Sequence, residues 1–240
     1  MTPRIVEVRQ NILKKNDVAA AGLRRKFVGD NTFVSSLVSS PGSGKTTFLE
    51  HTLQLMHRRY RVAALVGDLA TECDADRLRR SGAPVRQITT GTVCHLDAEM
   101  VGRALDAWEG AGAEWLFIEN VGNLVCPASY DLGEQLRAVL ISVTEGEDKP
   151  LKYPTIFNTA DIAIITKIDL ADAVGFDREM LARNIDRVRP GLDVLEVSAR
   201  TGKGMDAWIA RLTQHREADA NRAYGNRPLE RGVSAGEPAG

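Results

Sequence analysis

Long hydrophobic runs are missing from this sequence. Its longest apolar stretches, such as Val62–Val66 and Asp161–Thr166, are strand-sized, well short of the ~20 consecutive apolar residues that a membrane-spanning helix needs. No basic start leads into an apolar core, as a secretory signal would require. An excess of one charge is missing too. The 31 Lys and Arg stand against 32 Asp and Glu, which removes any global reason to bind nucleic acid or an anionic membrane. Local basic clusters such as Arg24–Arg25–Lys26 read as solvated helix faces. Cysteine is scarce. Cys73, Cys94 and Cys126 form an odd, sparse set in 240 residues, which excludes a disulfide framework and makes the cytosol the expected location, with thiols reduced and available to metal.

What is present alternates between strand and helix patterns. Strands are expected at Asn31–Ser39, Arg61–Gly67, Val85–Ile88, Glu114–Glu119, Arg137–Val143, Ile162–Thr166 and Asp193–Val197. Helical spacing of apolar residues falls at Arg4–Phe27, Thr46–Tyr60, Asp74–Ser81, Leu96–Glu109, Phe176–Val188 and Gly204–His215. That alternation predicts an α/β fold, a mainly parallel central sheet flanked by helices. Residues 1–30 are expected to be a helical appendage packed on a domain spanning 31–218. Residues 219–240, rich in Gly, Pro, Ala and charge without periodicity, are expected to be a disordered tail.

Parallel sheets bind ligands at the carboxyl ends of their strands, and the chemistry-bearing motifs all follow strands. Ser39-Ser40-Pro41-Gly42-Ser43-Gly44-Lys45-Thr46 matches the phosphate-loop pattern G-x-x-x-x-G-K-[ST] at every defining position except the first, where Ser39 replaces Gly. Gly42 and Gly44 let the backbone curl its N–H groups around a β-phosphate, with Ser43 between them and Thr47 just beyond. Lys45 spans the β- and γ-phosphates, Thr46 ligates Mg²⁺, and the following helix offers its positive end to the anion. The expected fold is therefore that of a P-loop nucleoside triphosphatase.

Four further features arise in the order of a guanine-nucleotide switch. Asp68 ends the second strand and can enter the magnesium shell or orient the attacking water. Glu119-Asn120-Val121-Gly122 closes another strand, with Glu119 placed to reach Mg²⁺ through water and Gly122 to give its N–H to the γ-phosphate. Thr166-Lys167-Ile168-Asp169 follows a third strand. Asp169 can accept from guanine N1–H and N2–H₂, a pair adenine lacks, while the Lys167 stem lies over the base. Thr166 stands where the usual guanine pattern has Asn, and its hydroxyl can brace the neighbouring loop. Ser198-Ala199-Arg200 fits a loop whose backbone N–H faces guanine O6. Together these favour GTP and GDP over adenine nucleotides, and intact Lys45 and Thr46 argue for hydrolysis.

A second constellation lies on neighbouring loops: Cys94-His95 within Gly91–Ala98, and Cys126-Pro127 within Asn123–Ala128. Cysteines are commonly buried small hydrophobes, but two thiols and an imidazole on adjacent loops suit a metal such as Zn²⁺ or Ni²⁺. Three ligands are too few for a closed tetrahedral site, so such a site is either open to exchange or shared across a twofold axis. Cys73 has no obvious partner and reads as a nonligand.

With these motifs in place, the sequence resembles the nickel-incorporation GTPases of hydrogenase maturation, a metallochaperone family, from about Val8 to Arg216. The most specific stretch is Glu119-Asn120-Val121-Gly122-Asn123-Leu124-Val125-Cys126-Pro127-Ala128. The resemblance implies a homodimer formed on GTP binding, and a metal site at its interface built from Cys94, His95 and Cys126 that binds nickel and often zinc. It also implies two partners, a nickel-binding accessory protein and the hydrogenase large-subunit precursor. Two departures stand out. No Cys or His precedes His51, which argues against the nickel storage performed by the N-termini of some members. Thr92-Val93 replaces the usual Lys-Gly before the Cys-His pair, removing a cation near the metal. The related urease-maturation GTPases carry Cys-Pro-His, whereas Cys94 and His95 are adjacent here. A signalling or scaffold GTPase with merely structural cysteines would bind no stoichiometric metal.

Overall fold

A computed structural model describes residues 3–69, 72–108 and 112–225. In chain order the elements are α1 (Pro3–Gly29), β1 (Phe33–Ser39), α2 (Lys45–Met56), β2 (Val62–Asp68), α3 (Cys73–Arg79), β3 (Val85–Thr89), α4 (Ala98–Asp106), β4 (Trp115–Glu119), β5 (Leu136–Ser142), α5 (Lys149–Lys152), α6 (Pro154–Thr159), β6 (Ile162–Thr166), α7 (Arg178–Val188), β7 (Asp193–Glu196) and α8 (Met205–Gly225). The seven strands form one sheet in the order β3-β2-β4-β1-β5-β6-β7, and every pairing is parallel.

Period-two alternation divides the strand residues between two helical layers. Phe33 and Leu37 of β1, Trp115 and Phe117 of β4, and Leu136, Ala138 and Leu140 of β5 pack with Phe48, Leu49, Leu53 and Met56 of α2 and with Trp208 and Leu212 of α8. The residues between them face the other way. Val34, Leu116 and Ile118 meet Ala20, Leu23 and Phe27 of α1 and Val101, Ala104 and Leu105 of α4. Val139, Ile141 and Ile165 meet Ile156 and Phe157 of α6 and Leu181 and Ile185 of α7. Strands buried on both faces explain the near-continuous apolar runs of β5 and β6. Among the described residues, no helix is long and apolar enough to cross a membrane.

Several boundaries differ from expectation. Helix α8 continues through Asp219 to Gly225, because Ala218, Ala220 and Arg222 are good helix formers and no Gly or Pro interrupts them; the expected disordered tail cannot begin at 219. Residues 226–240 lie outside the described residues, as does Glu109, the expected end of α4. Beyond β5 the acidic segment Thr144–Pro150 leads into two short helices, α5 and α6, each with Pro in its first turn. In α1 the apolar residues Val8 and Ile12, which fall on the helical spacing, are exposed. The C-terminal half of the helix packs on the core through Ala20, Leu23 and Phe27.

Candidate functional site

The chain reverses direction across the sheet at β1, which lies between β4 and β5. Ligands bind at the carboxyl edge of such a point, and the phosphate loop leaves β1 there. Gly42 and Gly44 take positive φ, 77° and 89°, conformations that cost glycine least. Gly44 is the N-cap of α2 and no side chain caps it, so the first N–H groups of a twelve-residue helix open toward the loop. Ser39, in place of the first glycine, is fully buried and its hydroxyl donates to Ser40 O at 2.9 Å. A small side chain is accommodated at that position.

Lys45 Nζ lies 3.1 Å from Glu119 Oε1, and Thr46 Oγ1 donates to the same oxygen at 2.7 Å. Both ends of the ion pair are buried. The second carboxylate oxygen, Oε2, is buried with no hydrogen-bond partner among the described residues. A buried anionic oxygen beside the threonine hydroxyl suits a hard divalent cation such as Mg²⁺. Gly122 packs against the loop itself: a Cβ there would lie 3.1 Å from both Cα and N of Pro41. The surrounding cavity, about 550 Å³, is bounded by Ser40–Thr47, Asp68, Asp74, Arg77, Gly122 and Lys167 among others.

A second cavity of about 280 Å³ adjoins it, lined by Gly44, Thr47, Phe48, Thr166, Lys167, Asp169, Leu170, Val197, Ser198, Ala199 and Arg200. Lys167 adopts φ 58° and extends its stem along the phosphate loop, with Nζ donating to Gly42 O at 2.7 Å. Thr166 Oγ1 donates to Ser43 O at 2.6 Å, tying β6 to the loop. Ser198 Oγ donates to Asp169 Oδ1 at 2.6 Å, which leaves Oδ2 available to a base edge. The apolar walls from Phe48, Leu170 and Val197 were invisible as a group in the sequence because they come from three separate elements.

The metal candidates converge on loops that follow the two strands flanking β2 in the sheet. Cys94 and His95 follow β3, and Cys126 follows β4. Their ligand atoms all lie within 4.8 Å of one another, and the two sulfurs are 3.1 Å apart. His95 stacks on Tyr130 with ring centroids 4.0 Å apart, and its Nδ1 is buried without a hydrogen bond among the described residues. Burial holds the His95 pKa below the ordinary imidazole value, against the opposing pull of the Asp97 carboxylate. Neutral imidazole is the form that ligates metals. Two thiols and a neutral imidazole are donors that fit Ni²⁺ or Zn²⁺. Val125, next to Cys126, is largely exposed.

Sequence reasoning missed the residues that hold this corner in place. Asn120 Oδ1 accepts from Leu96 N at 3.0 Å and from Val121 N at 2.9 Å. One amide thus joins the strand end that bears Glu119 to the segment bearing His95. Asn123 Nδ2 donates to Cys94 O at 3.3 Å. Arg24, expected to be solvated, binds both carboxylate oxygens of Asp131 at 2.8 Å. On the nucleotide side, Arg77 bridges Thr47 Oγ1 and Glu50 Oε2, each at 2.8 Å, at the rim of the phosphate cavity. Cys73 is exposed at the start of α3, away from the metal candidates.

Residues 33–196 match the family model described as the CobW/HypB/UreG nucleotide-binding domain. The chain is similar to hydrogenase maturation factor HypB of Azotobacter chroococcum mcd 1, at 50% identity over 90% of this chain and 70% of that protein. Among solved structures it resembles HypB from Helicobacter pylori in complex with nickel, with a TM-score of 0.81 and 39% identity over 85% of this chain and 96% of that one. It also resembles the hydrogenase maturation factor HypB from Archaeoglobus fulgidus, with a TM-score of 0.78 and 37% identity over 85% and 99% of the two chains.

Proposed function

The chain belongs to the CobW/HypB/UreG family of nucleotide-binding proteins, and from that membership we propose that it couples GTP hydrolysis to the delivery of nickel. It is a P-loop GTPase, and its role lies in hydrogenase maturation. The observation that carries the finer reading is the position of Cys94, His95 and Cys126. Their donor atoms meet within 4.8 Å on loops that leave the same edge of the sheet as the phosphate loop. Nickel is the cargo of this site, and zinc is a competitor for the same donors.

On this reading GTP binds with its triphosphate over Gly42–Thr47 and its base in the cavity beside Asp169. Asp169 accepts from the guanine N1–H and N2–H₂ edge, Ser198 holds that carboxylate in place, and the Ala199 N–H faces guanine O6. Thr46, Glu119 and Asp68 would hold Mg²⁺, which neutralises charge on the transferring phosphoryl group. Lys45 stabilises the same charge. Its ion pair with Glu119 must be rearranged as phosphate enters, so occupancy of the nucleotide site alters the strand end from which the Cys126 loop departs.

Three protein ligands leave the coordination incomplete. A GTP-promoted homodimer that brings two such corners together completes it and makes metal affinity and nucleotide state parts of one linkage. The exposed Val125 beside Cys126 supports an interface there. A nickel-binding accessory protein would supply the ion, and the hydrogenase large-subunit precursor would receive it, in the cytosol. In this scheme residues 31–218 are the GTPase unit.

Separate measurements of GTP hydrolysis and nickel binding in Lys45→Ala and Cys94→Ala test the proposal. The first variant loses hydrolysis and keeps nickel binding; the second does the reverse. If Cys94→Ala binds nickel as the parent does, the metal assignment is wrong.

A further inference from the structure

Beyond the ligands themselves, the structure contains a device that fixes their separation. Asn16 is a polar residue of α1 whose side chain is almost fully buried. Both of its amide atoms are used on chain segments more than eighty residues away. Its Oδ1 accepts from Ala98 N at 2.9 Å, and its Nδ2 donates to Asp131 O at 2.9 Å. A backbone N–H requires an acceptor and a backbone carbonyl requires a donor, so the amide has one workable orientation.

The two segments it joins are those that carry the metal candidates. Ala98 is the first residue of α4, immediately after Cys94-His95-Leu96-Asp97. Its N–H is one of the helix-end donors that no intrahelical acceptor reaches, and Asp97 caps a different one, Met100 N, at 2.7 Å. Asp131 closes the segment that began at Cys126, directly after Tyr130, the ring stacked on His95. The same end of that segment is tied down by Arg137, which donates to Tyr130 O at 2.7 Å, and by Arg24 on Asp131. Gly133 sits so close to α1 that a Cβ would lie 2.9 Å from Ala20 O. The N-terminal helix therefore lies against both sides of the cysteine–histidine corner, and Asn16 is where one side chain touches both.

We infer that Asn16 is a positioning residue for the Cys94–His95–Cys126 metal site, holding its two loops at the spacing that lets thiolates and imidazole converge on one ion. This rests on the metal assignment above and extends it to α1, which then serves as part of the site's scaffold. Partners that orient metal ligands without touching the metal change affinity by roughly 10–100-fold when lost.

The test uses the full chain and Ni²⁺ alone, titrated against a competing chelator while the thiolate-to-nickel charge-transfer absorption is recorded. Asn16→Leu removes both hydrogen bonds at similar volume. It should weaken Ni²⁺ binding by about 10–100-fold and shift the absorption band at saturating metal, which a general loss of stability would not do. Asn16→Asp keeps the acceptor for Ala98 and opposes the Asp131 carbonyl with a carboxylate, so it should fall between. It also serves should Asn16→Leu fail to fold. Phe27→Leu, which loosens the packing of α1 about three turns beyond Asn16, should leave the band where it is. Parental affinity and an unmoved band in a folded Asn16 variant would overturn the inference, as would an equal band shift in Phe27→Leu. Failure of the metal assignment itself is read separately, as unchanged Ni²⁺ binding in Cys94→Ser.

Discussion

The nucleotide edge and the proposed metal corner of this molecule are built by opposite strategies. At the nucleotide edge one uninterrupted segment, Ser39–Thr47, supplies most of the chemistry through backbone N–H groups, one ammonium and one hydroxyl. At the proposed metal corner two candidate ligands come from one loop and one from another, and their supports come from Asn16 and Arg24 of α1, Asn120 and Asn123 of the loop after β4, and Arg137 of β5. A contiguous backbone cradle is specified locally, whereas a corner assembled from separate loops depends on distant side chains. The first should be most sensitive to changes within itself, and should keep turning over GTP when the metal corner's ligands are changed. The second should respond to changes far from the metal.

The largest effect should come from Lys45→Ala. Removing a positioned charge from phosphoryl transfer should lower kcat by roughly 100–1,000-fold or more, as followed by phosphate release. Nickel affinity measured by chelator competition should stay within about threefold. A matching loss of both would mean that the two regions are one. Cys126→Ala should weaken nickel binding by more than the roughly 10–100-fold expected for an outer partner, with GTP turnover retained. Asp169→Ala should come next. Inosine triphosphate lacks the N2 amino group, so the variant's preference for GTP over it should shrink by about 10–100-fold, the equivalent of one unpaired polar group, in competition binding.

The smallest effect separates positioning from bulk stability. Burial raises the Asp131 pKa, but the Arg24 hydrogen bond, the Gly133 N–H and the Arg24 charge outweigh it, leaving the carboxyl below its ordinary 3.8. A depressed folded-state pKa contributes stability that is present above about pH 4 and is lost as pH falls through the folded value. Since both partners are more than a third exposed, Arg24→Leu should cost only about 0.5–1 kcal/mol at neutral pH. In denaturant melts that difference from the parent should fade below pH 3.8. A difference that persists in acid would place the cost in apolar packing of α1.

The same contrast explains what could be read from sequence. The phosphate loop was legible because its residues are adjacent and each glycine answers a local backbone demand, as the φ values of Gly42 and Gly44 show. The sheet was legible because strands buried on both faces leave apolar runs. Cys94, His95 and Cys126 stood out by residue type alone, but nothing in their spacing fixes a distance between loops that follow different strands. Asn16 carries no such signal, since by type it is one more polar residue along a helix. Its meaning depends on where α1 lands, and α1 is positioned by Ala20, Leu23 and Phe27 against residues from across the chain. Helix α8 ran past its expected end because charge and alanine suit a helix as well as a tail, and the breakers come only at Gly225 and Pro228.

The two strategies meet at Glu119 and Asn120. One carboxylate holds Lys45 and Thr46, and the adjacent amide holds the segment bearing His95. The most direct test of this junction is Ni²⁺ affinity measured with magnesium and either GDP or a nonhydrolysable GTP analogue, in the parent and in Lys45→Ala. The structure predicts affinities that differ severalfold between the two nucleotides in the parent and coincide in the variant. Equal affinities in the parent, with both nucleotides bound, would contradict a connection through this strand end.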